Sequence, residues 1–169
     1  QVNQHRYRTM DDDKFEIRRV EASESPQLTQ LAHLAKSYWG YSPEFMLAFD
    51  EELTSNEDDL SDEKSLFRVG TFEGKICAFY ALRFDLGTEV EMTALFVAPT
   101  MLGRGMGRRL FEHAVEQARQ RGAHKMMIHS DPYAEKFYIK MGAVKIGDVP
   151  SRSVEDREIP LLEYVLKPA

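Results

Sequence analysis

The segment Val97–Leu110, VAPTMLGRGMGRRL, places glycine at 103, 105 and 107, between a hydrophobic run and a run with helical spacing. Glycine inside regular structure costs about 0.5–1 kcal/mol relative to alanine, so three at alternate positions need a reason. A tight strand-to-helix turn is one, although a turn needs only one glycine and leaves the neighbouring arginines incidental. A ligand that must approach the backbone is the other. The first N–H groups of a helix have no intrahelical partners, and its dipole presents about half a positive charge there, which suits phosphate. Arg104 and Arg108 add charge that can pair with it. A P-loop would need a Lys-Ser or Lys-Thr that does not follow here. A dinucleotide-binding turn would read G-x-G-x-x-G near the start of a βαβ unit, whereas this chain reads G-x-G-x-G after three strands and two helices.

Those earlier elements follow from spacing. FEIRRVE alternates and predicts the first strand. Ser25-Pro26 is a cap followed by proline, and Leu28, Leu31, Ala32, Leu34 and Ala35 form an apolar stripe behind it. Ser42-Pro43 opens a second, short helix with Phe45, Met46, Leu47 and Phe49. SLFRVGTFEGKICAFYALRF predicts a hairpin turning at Glu73-Gly74-Lys75, and TEVEMTALFVAP a further strand ended by Pro99. Strict alternation on that strand puts Glu89, Glu91, Thr93 and Leu95 on one face and Val90, Met92, Ala94 and Phe96 on the other. A helix over about 102–121 is closed by Gly122. Then come the strand KMMIHS, the helix PYAEKFYIKM, and the strands AVKIG and IPLLEYVL. Gln1–Lys14 lacks periodicity and predicts a mobile tail, leaving residues 15–169 as one α/β domain with a mixed sheet.

With 169 residues and a net charge of -6, the chain is not built for nonspecific nucleic-acid binding. The acidic runs DDDKFE and DEELTSNEDDLSDE predict a solvated tail and a solvated loop. No apolar run is long enough for a membrane span. The lone Cys77 sits among apolar neighbours, suits a reducing compartment, and gives a cytoplasmic expectation. His124 and His129 share a segment, but no HExxH or compact His/Cys cluster exists, so no metal is expected.

EMTALFVAPTMLGRGMGRRLFEHAVEQARQRG resembles the central motif of the GNAT superfamily of acyl-CoA-dependent N-acyltransferases, [QR]-x-x-G-x-[GA] at a helix start. Gly105 and Gly107 fill its glycine positions, and Leu102 stands where Gln or Arg is usual. SDPYAEKFYIKMGAVKIG is similar to the family's later motif, matching at Ala134, Phe137, Tyr138, Lys140 and Gly142, with Asp131 near the usual Asn and Ala143 in place of an aromatic residue.

The resemblance spans residues 17–166 and implies the GNAT fold: a twisted, mostly antiparallel sheet of about six or seven strands flanked by about four helices. It also implies acetyl-CoA as cosubstrate and a primary amine as acceptor, beside the expectation from composition and spacing that no metal, nucleic acid or membrane is a partner. A homodimer stays open. The pyrophosphate would lie on Leu102, Gly103, Arg104, Gly105, Met106, Gly107 and Arg108. Pantetheine would line up with Leu95, Phe96 and Val97 where that strand diverges from the next, and Asp131 would meet the cofactor or cap the following helix. Tyr138 would protonate the leaving thiolate and Glu91 would be the base, directly or through water. Trp39, Tyr41 and Phe45 would line the acceptor pocket, opposite the loop Ser151–Glu158. A binding or regulatory module without turnover, and a nucleotide-phosphate binder unrelated to CoA, are the competing readings.

Overall fold

The computed structural model describes residues 13–168. The expected tail Gln1–Lys14 therefore lies outside the described residues except for its last two. The elements run β1 (Phe15–Arg19), α1 (Ser25–Ser37), α2 (Pro43–Leu47), α3 (Asp50–Leu53), α4 (Glu57–Ser61), β2 (Ser65–Phe72), β3 (Lys75–Leu86), β4 (Glu89–Val97), α5 (Met106–Gln120), β5 (Lys125–His129), α6 (Glu135–Lys140), β6 (Val144–Pro150) and β7 (Glu158–Val165). Seven strands form one sheet in the order β1-β2-β3-β4-β5-β7-β6, and every neighbouring pair is antiparallel except β4–β5. This is the mixed sheet the sequence predicts and the mostly antiparallel one the resemblance implies, with six helices among the described residues where about four were expected.

The two extra helices fall in the acidic run expected to be a solvated loop. Leu53 is buried and anchors α3, while Asn56 and Asp59 cap α4 reciprocally through bonds of 2.9 and 2.8 Å. Acidic residues in a first turn also face the positive end of the helix dipole, so a run that is polar in composition is helical in context. Ser42 caps α2 as predicted, its hydroxyl accepting from the Phe45 N–H at 3.1 Å. Ser25 does not cap α1. A 3-10 turn over Ala22–Glu24 precedes it, with the Glu21 N–H donating to Glu24 at 2.9 Å, which carries Ser25 into the helix. The hairpin turns at Glu73 and Gly74, both left-handed, as a two-residue connection with native strand twist requires.

Two apolar layers sandwich the sheet. On one side α5 packs Leu110, Phe111, Ala114 and Ala118 against Tyr80, Leu82, Val90 and Met92. On the other, α1 packs Leu28, Leu31 and Ala32 against Val69 and Phe79, with Phe49 and Leu53 filling in. Among the described residues no helix is long and apolar enough to cross a membrane.

The alternation predicted for β4 breaks once. Ala81 pairs with Ala94 but Leu82 pairs with Met92, so Thr93 is an extra residue on β4. Such a bulge reverses the facing of everything beyond it. Val90, Met92, Leu95 and Val97 accordingly pack toward α5, whereas Ala94 and Phe96 pack toward α1. Leu95 therefore does not share a face with Glu91.

Candidate active site

The parallel pairing of β4 with β5 ends at Glu91–Met127, and beyond it the two strands part. The Ala98 N–H donates to the Cys77 carbonyl on β3 at 2.8 Å, so by alternation Leu95 and Val97 turn their N–H and C=O groups into the gap. A cleft of about 460 Å³ opens there, running from the end of α1 to the first turn of α5.

The glycine turn forms one end of this cleft, and its three glycines do two different jobs. Gly103 and Gly105 have φ of 77° and 79°, a region that other residues enter at a cost, and Gly105 is the residue from which α5 starts. Gly107 is helical, but a Cβ there would lie 3.3 Å from the Phe137 ring, so it lets α5 and α6 approach. The turn with its free helix N–H groups therefore faces the cleft, lined by Leu102, Gly103, Gly105, Met106, Gly107 and Arg108. Arg104 does not line it; its guanidinium stacks 4.6 Å above Phe72.

Tyr138 is 7% exposed and forms part of the opposite wall. Burial, and secondarily the negative charge of Asp131, push its phenol pKa above the usual value and keep the proton on it. Helical spacing over PYAEKFYIKM alone would put Tyr133, Phe137 and Met141 on one apolar stripe and Tyr138 off it. Tyr133 in fact lies in a 3-10 turn before α6, where helical spacing does not apply, and it stacks on Trp39 with centroids 5.5 Å apart. Tyr138 is the buried residue of α6.

Asp131 caps that turn, accepting from the Tyr133 N–H at 2.9 Å, and lines the cleft. Its other oxygen accepts from the Tyr41 hydroxyl at 2.8 Å and pairs with Lys36 at 3.0 Å. Of the expected acceptor-pocket residues, Trp39 lines the cleft. Tyr41 and Phe45 lie behind it, stacked on each other at 5.3 Å. Burial and the Asp131 bond push the Tyr41 phenol well up, and Arg157 donates to its oxygen at 2.6 Å.

Glu91 is not on the cleft wall. Its carboxylate pairs with Arg152 at 2.9 Å and lies 3.5 Å from His129, which does reach the cleft. The loop between β6 and β7 is fastened over this side by Arg152, by Arg157 on Tyr41, and by Ser153 donating to Glu52.

Lys36 went unremarked in the sequence, and His129 was weighed there only as a metal ligand. Lys36 continues the buried stripe of α1 four residues after Ala32, an irregularity that marks it in retrospect. It is 6% exposed, and its ammonium sits 4.0 Å over the Phe49 ring. Breaking a buried ion pair from one side typically costs about 3–5 kcal/mol. Lys36→Met should thus lower the melting temperature by roughly 6–20 °C at this chain size, as read by thermal denaturation. A drop of under about 2 °C would mean that water solvates Asp131 adequately without Lys36.

Residues 28–143 match the model of the Acetyltransferase (GNAT) family. The chain belongs to the GNAT acetyltransferase family. Its fold superposes on the PaiA N-acetyltransferase of Thermoplasma acidophilum in complex with coenzyme A (TM-score 0.76, 18% identity, 89% of this chain and 98% of that one). It is similar also to the ribosomal-protein-S18-alanine N-acetyltransferase of Escherichia coli (0.67, 19%, 92% and 96%) and to an aminoglycoside 6′-N-acetyltransferase complexed with coenzyme A (0.66, 16%, 91% and 98%). No curated protein matches the chain in sequence. As a member of the family the protein is an acyltransferase. Among the described residues no three His, Cys, Asp or Glu side chains are grouped as a metal ion would require.

Proposed function

We propose that this GNAT protein transfers an acetyl group from acetyl-CoA to a primary amine of a small molecule, an amino acid or a peptide, by direct attack within a single domain. The observation that carries this reading is the opening of the sheet between β4 and β5, with the glycine turn and Tyr138 on the walls of one cleft. Two of the similar structures hold coenzyme A, which supports the choice of cosubstrate.

The turn at Leu102–Arg108 would hold the pyrophosphate through main-chain N–H groups, with Arg108 on the same wall. Leu95 and Val97 would hold pantetheine in strand-like pairing, with Phe96 between them, and the N–H of Val97 or its neighbour would polarise the acyl carbonyl. One preorganised donor of this kind is worth about 3–4 kcal/mol. The thioester supplies an activated acetyl group. A free alkylamine has a pKa of about 10.4 and arrives protonated, so a proton must leave first, drawn off toward the Glu91 carboxylate. Tyr138 then donates its proton toward the departing sulfur. Asp131 holds the α6 wall in place, and Trp39 forms the acceptor side together with the aromatic layer of Tyr41 and Phe45 behind it.

Acetyl-CoA at 100 times its dissociation constant should stabilise the protein by about 2.7 kcal/mol, or roughly 5–10 °C in melting temperature. ATP and NAD should give no shift. Thiol release on adding a panel of primary amines then separates an enzyme from a binding module. No shift with acetyl-CoA would remove the reading.

A further inference from the structure

One cluster beside the cleft is left over by this account. Arg152 is 64% exposed on its side chain, whereas the Glu91 it pairs with is 12% exposed. The same guanidinium reaches His129: Nη1 lies 2.9 Å from Glu91 Oε1, and Nη2 lies 3.3 Å from His129 Nε2. Arginine can only donate, so Nε2 must accept, and the ring proton sits on Nδ1. Nδ1 is buried and has no hydrogen-bond partner among the described residues. The lone pair able to take a proton is therefore on Nε2, the nitrogen that the Arg152 guanidinium now covers.

A protonated primary amine presents the same chemistry as that guanidinium: a positive charge with several N–H donors, here offered to one carboxylate and one imidazole. The β6–β7 loop has other fastenings, at Tyr41 and Glu52, so the Arg152 side chain can leave without the loop moving. Burial, and then Arg152, hold the His129 pKa below the ordinary value, while Glu91 opposes them. The imidazole is thus neutral with Arg152 in place, and it becomes a better proton acceptor once Arg152 departs. Other charges bordering the cleft are Lys36 from α1, Glu52 from α3 and Asp131 after β5, with Arg108 of α5 and Lys140 of α6 at its glycine-turn end.

We propose that Glu91 and His129 form the acceptor's amine subsite, that Arg152 is a placeholder displaced by the incoming ammonium, and that His129 Nε2 is the atom that takes its proton. This rests on the acetyl-transfer reading and refines it, making Glu91 a positioning residue behind a catalytic His129. An N–H bond of the ammonium breaks, its electron pair stays on nitrogen, and an Nε2–H bond forms beside the Glu91 charge. The amine pair then forms the N–C bond as the C–S bond breaks with its pair on sulfur, which takes the Tyr138 proton. The second proton lost by nitrogen restores Tyr138, and His129 returns its own to solvent.

The test uses n-butylammonium as probe, with the His129 ring followed by NMR. The probe should shift the His129 resonances and should bind Arg152→Ala about two- to fivefold more tightly than the wild type, the order expected for removing one competing exposed ion pair. Glu91→Gln should abolish this binding. His129→Gln should slow n-butylamine acetylation about 100-fold and remove the acidic limb of the kcat/KM profile, which a structural role would leave in place. Acetyl-CoA should still raise the melting temperature of all three variants. If acetyl-CoA binds but the probe leaves His129 unmoved, or binds Arg152→Ala no better than wild type, the proposal is overturned. A failure of acetyl-CoA to stabilise the wild type overturns the acetyl-transfer reading instead.

Discussion

Tyr138→Phe lowers turnover about 100-fold, the scale of one lost proton donor, and leaves acetyl-CoA affinity nearly unchanged. Phenylalanine keeps the ring that packs against Phe111 and Phe137, with centroids 6.2 and 5.3 Å away, so the wall of the cleft survives. Only the hydroxyl is lost. In the wild type, burial and Asp131 hold the proton on that hydroxyl, so the donor form is present whenever negative charge builds on sulfur. Single-turnover kinetics with saturating acetyl-CoA, alongside a binding titration, separate the two quantities. A variant as fast as the wild type would leave Tyr138 as packing alone.

Gly105→Val raises the acetyl-CoA dissociation constant about tenfold to a hundredfold, which corresponds to losing one hydrogen bond to a charged group of about 1.5–3 kcal/mol. A Cβ at Gly105 meets nothing within 4 Å, so the substitution causes no clash. Its φ of 79° is the difficulty, because a β-branched residue resists the left-handed region and the start of α5 must rearrange. The strain of about 1–2 kcal/mol is small enough for the protein to fold. Isothermal titration gives the affinity and a melting curve gives the cost. An unchanged affinity would mean that the turn is a connector and not a cradle.

How far the sequence reveals this molecule depends on whether a local rule decides the residue. The turn at 103–107 and the strand and helix that flank it follow from glycine, proline and spacing, which act over a few neighbours. Gly142, left-handed at φ 105°, stops the α6 segment where the sequence places its end. The acidic helices did not show, because Leu53 and the Asn56–Asp59 cap outweigh a composition that reads as loop. Arg104 was grouped with Arg108 by proximity, but Phe72, thirty-two positions earlier, takes its guanidinium. Lys36 and Asp131 are ninety-five positions apart, and Glu91 and Arg152 sixty-one, so only the folded chain shows those pairs. Tyr41 and Phe45 have the aromatic character of a pocket lining, yet their rings support the cleft from behind.

The single extra residue at Thr93 limits how this protein can diversify. Glu91 lies on one side of it, and Leu95 and Val97 on the other. A codon gained or lost between them would turn one of these groups inside out while leaving the rest of β4 intact. The span from Glu91 to Val97 is for that reason closed to change in length. New acceptors would have to be accommodated at the chain's free borders, in the short helices after α1 and in the loop that carries Arg152, where insertions leave the reading of the strand untouched.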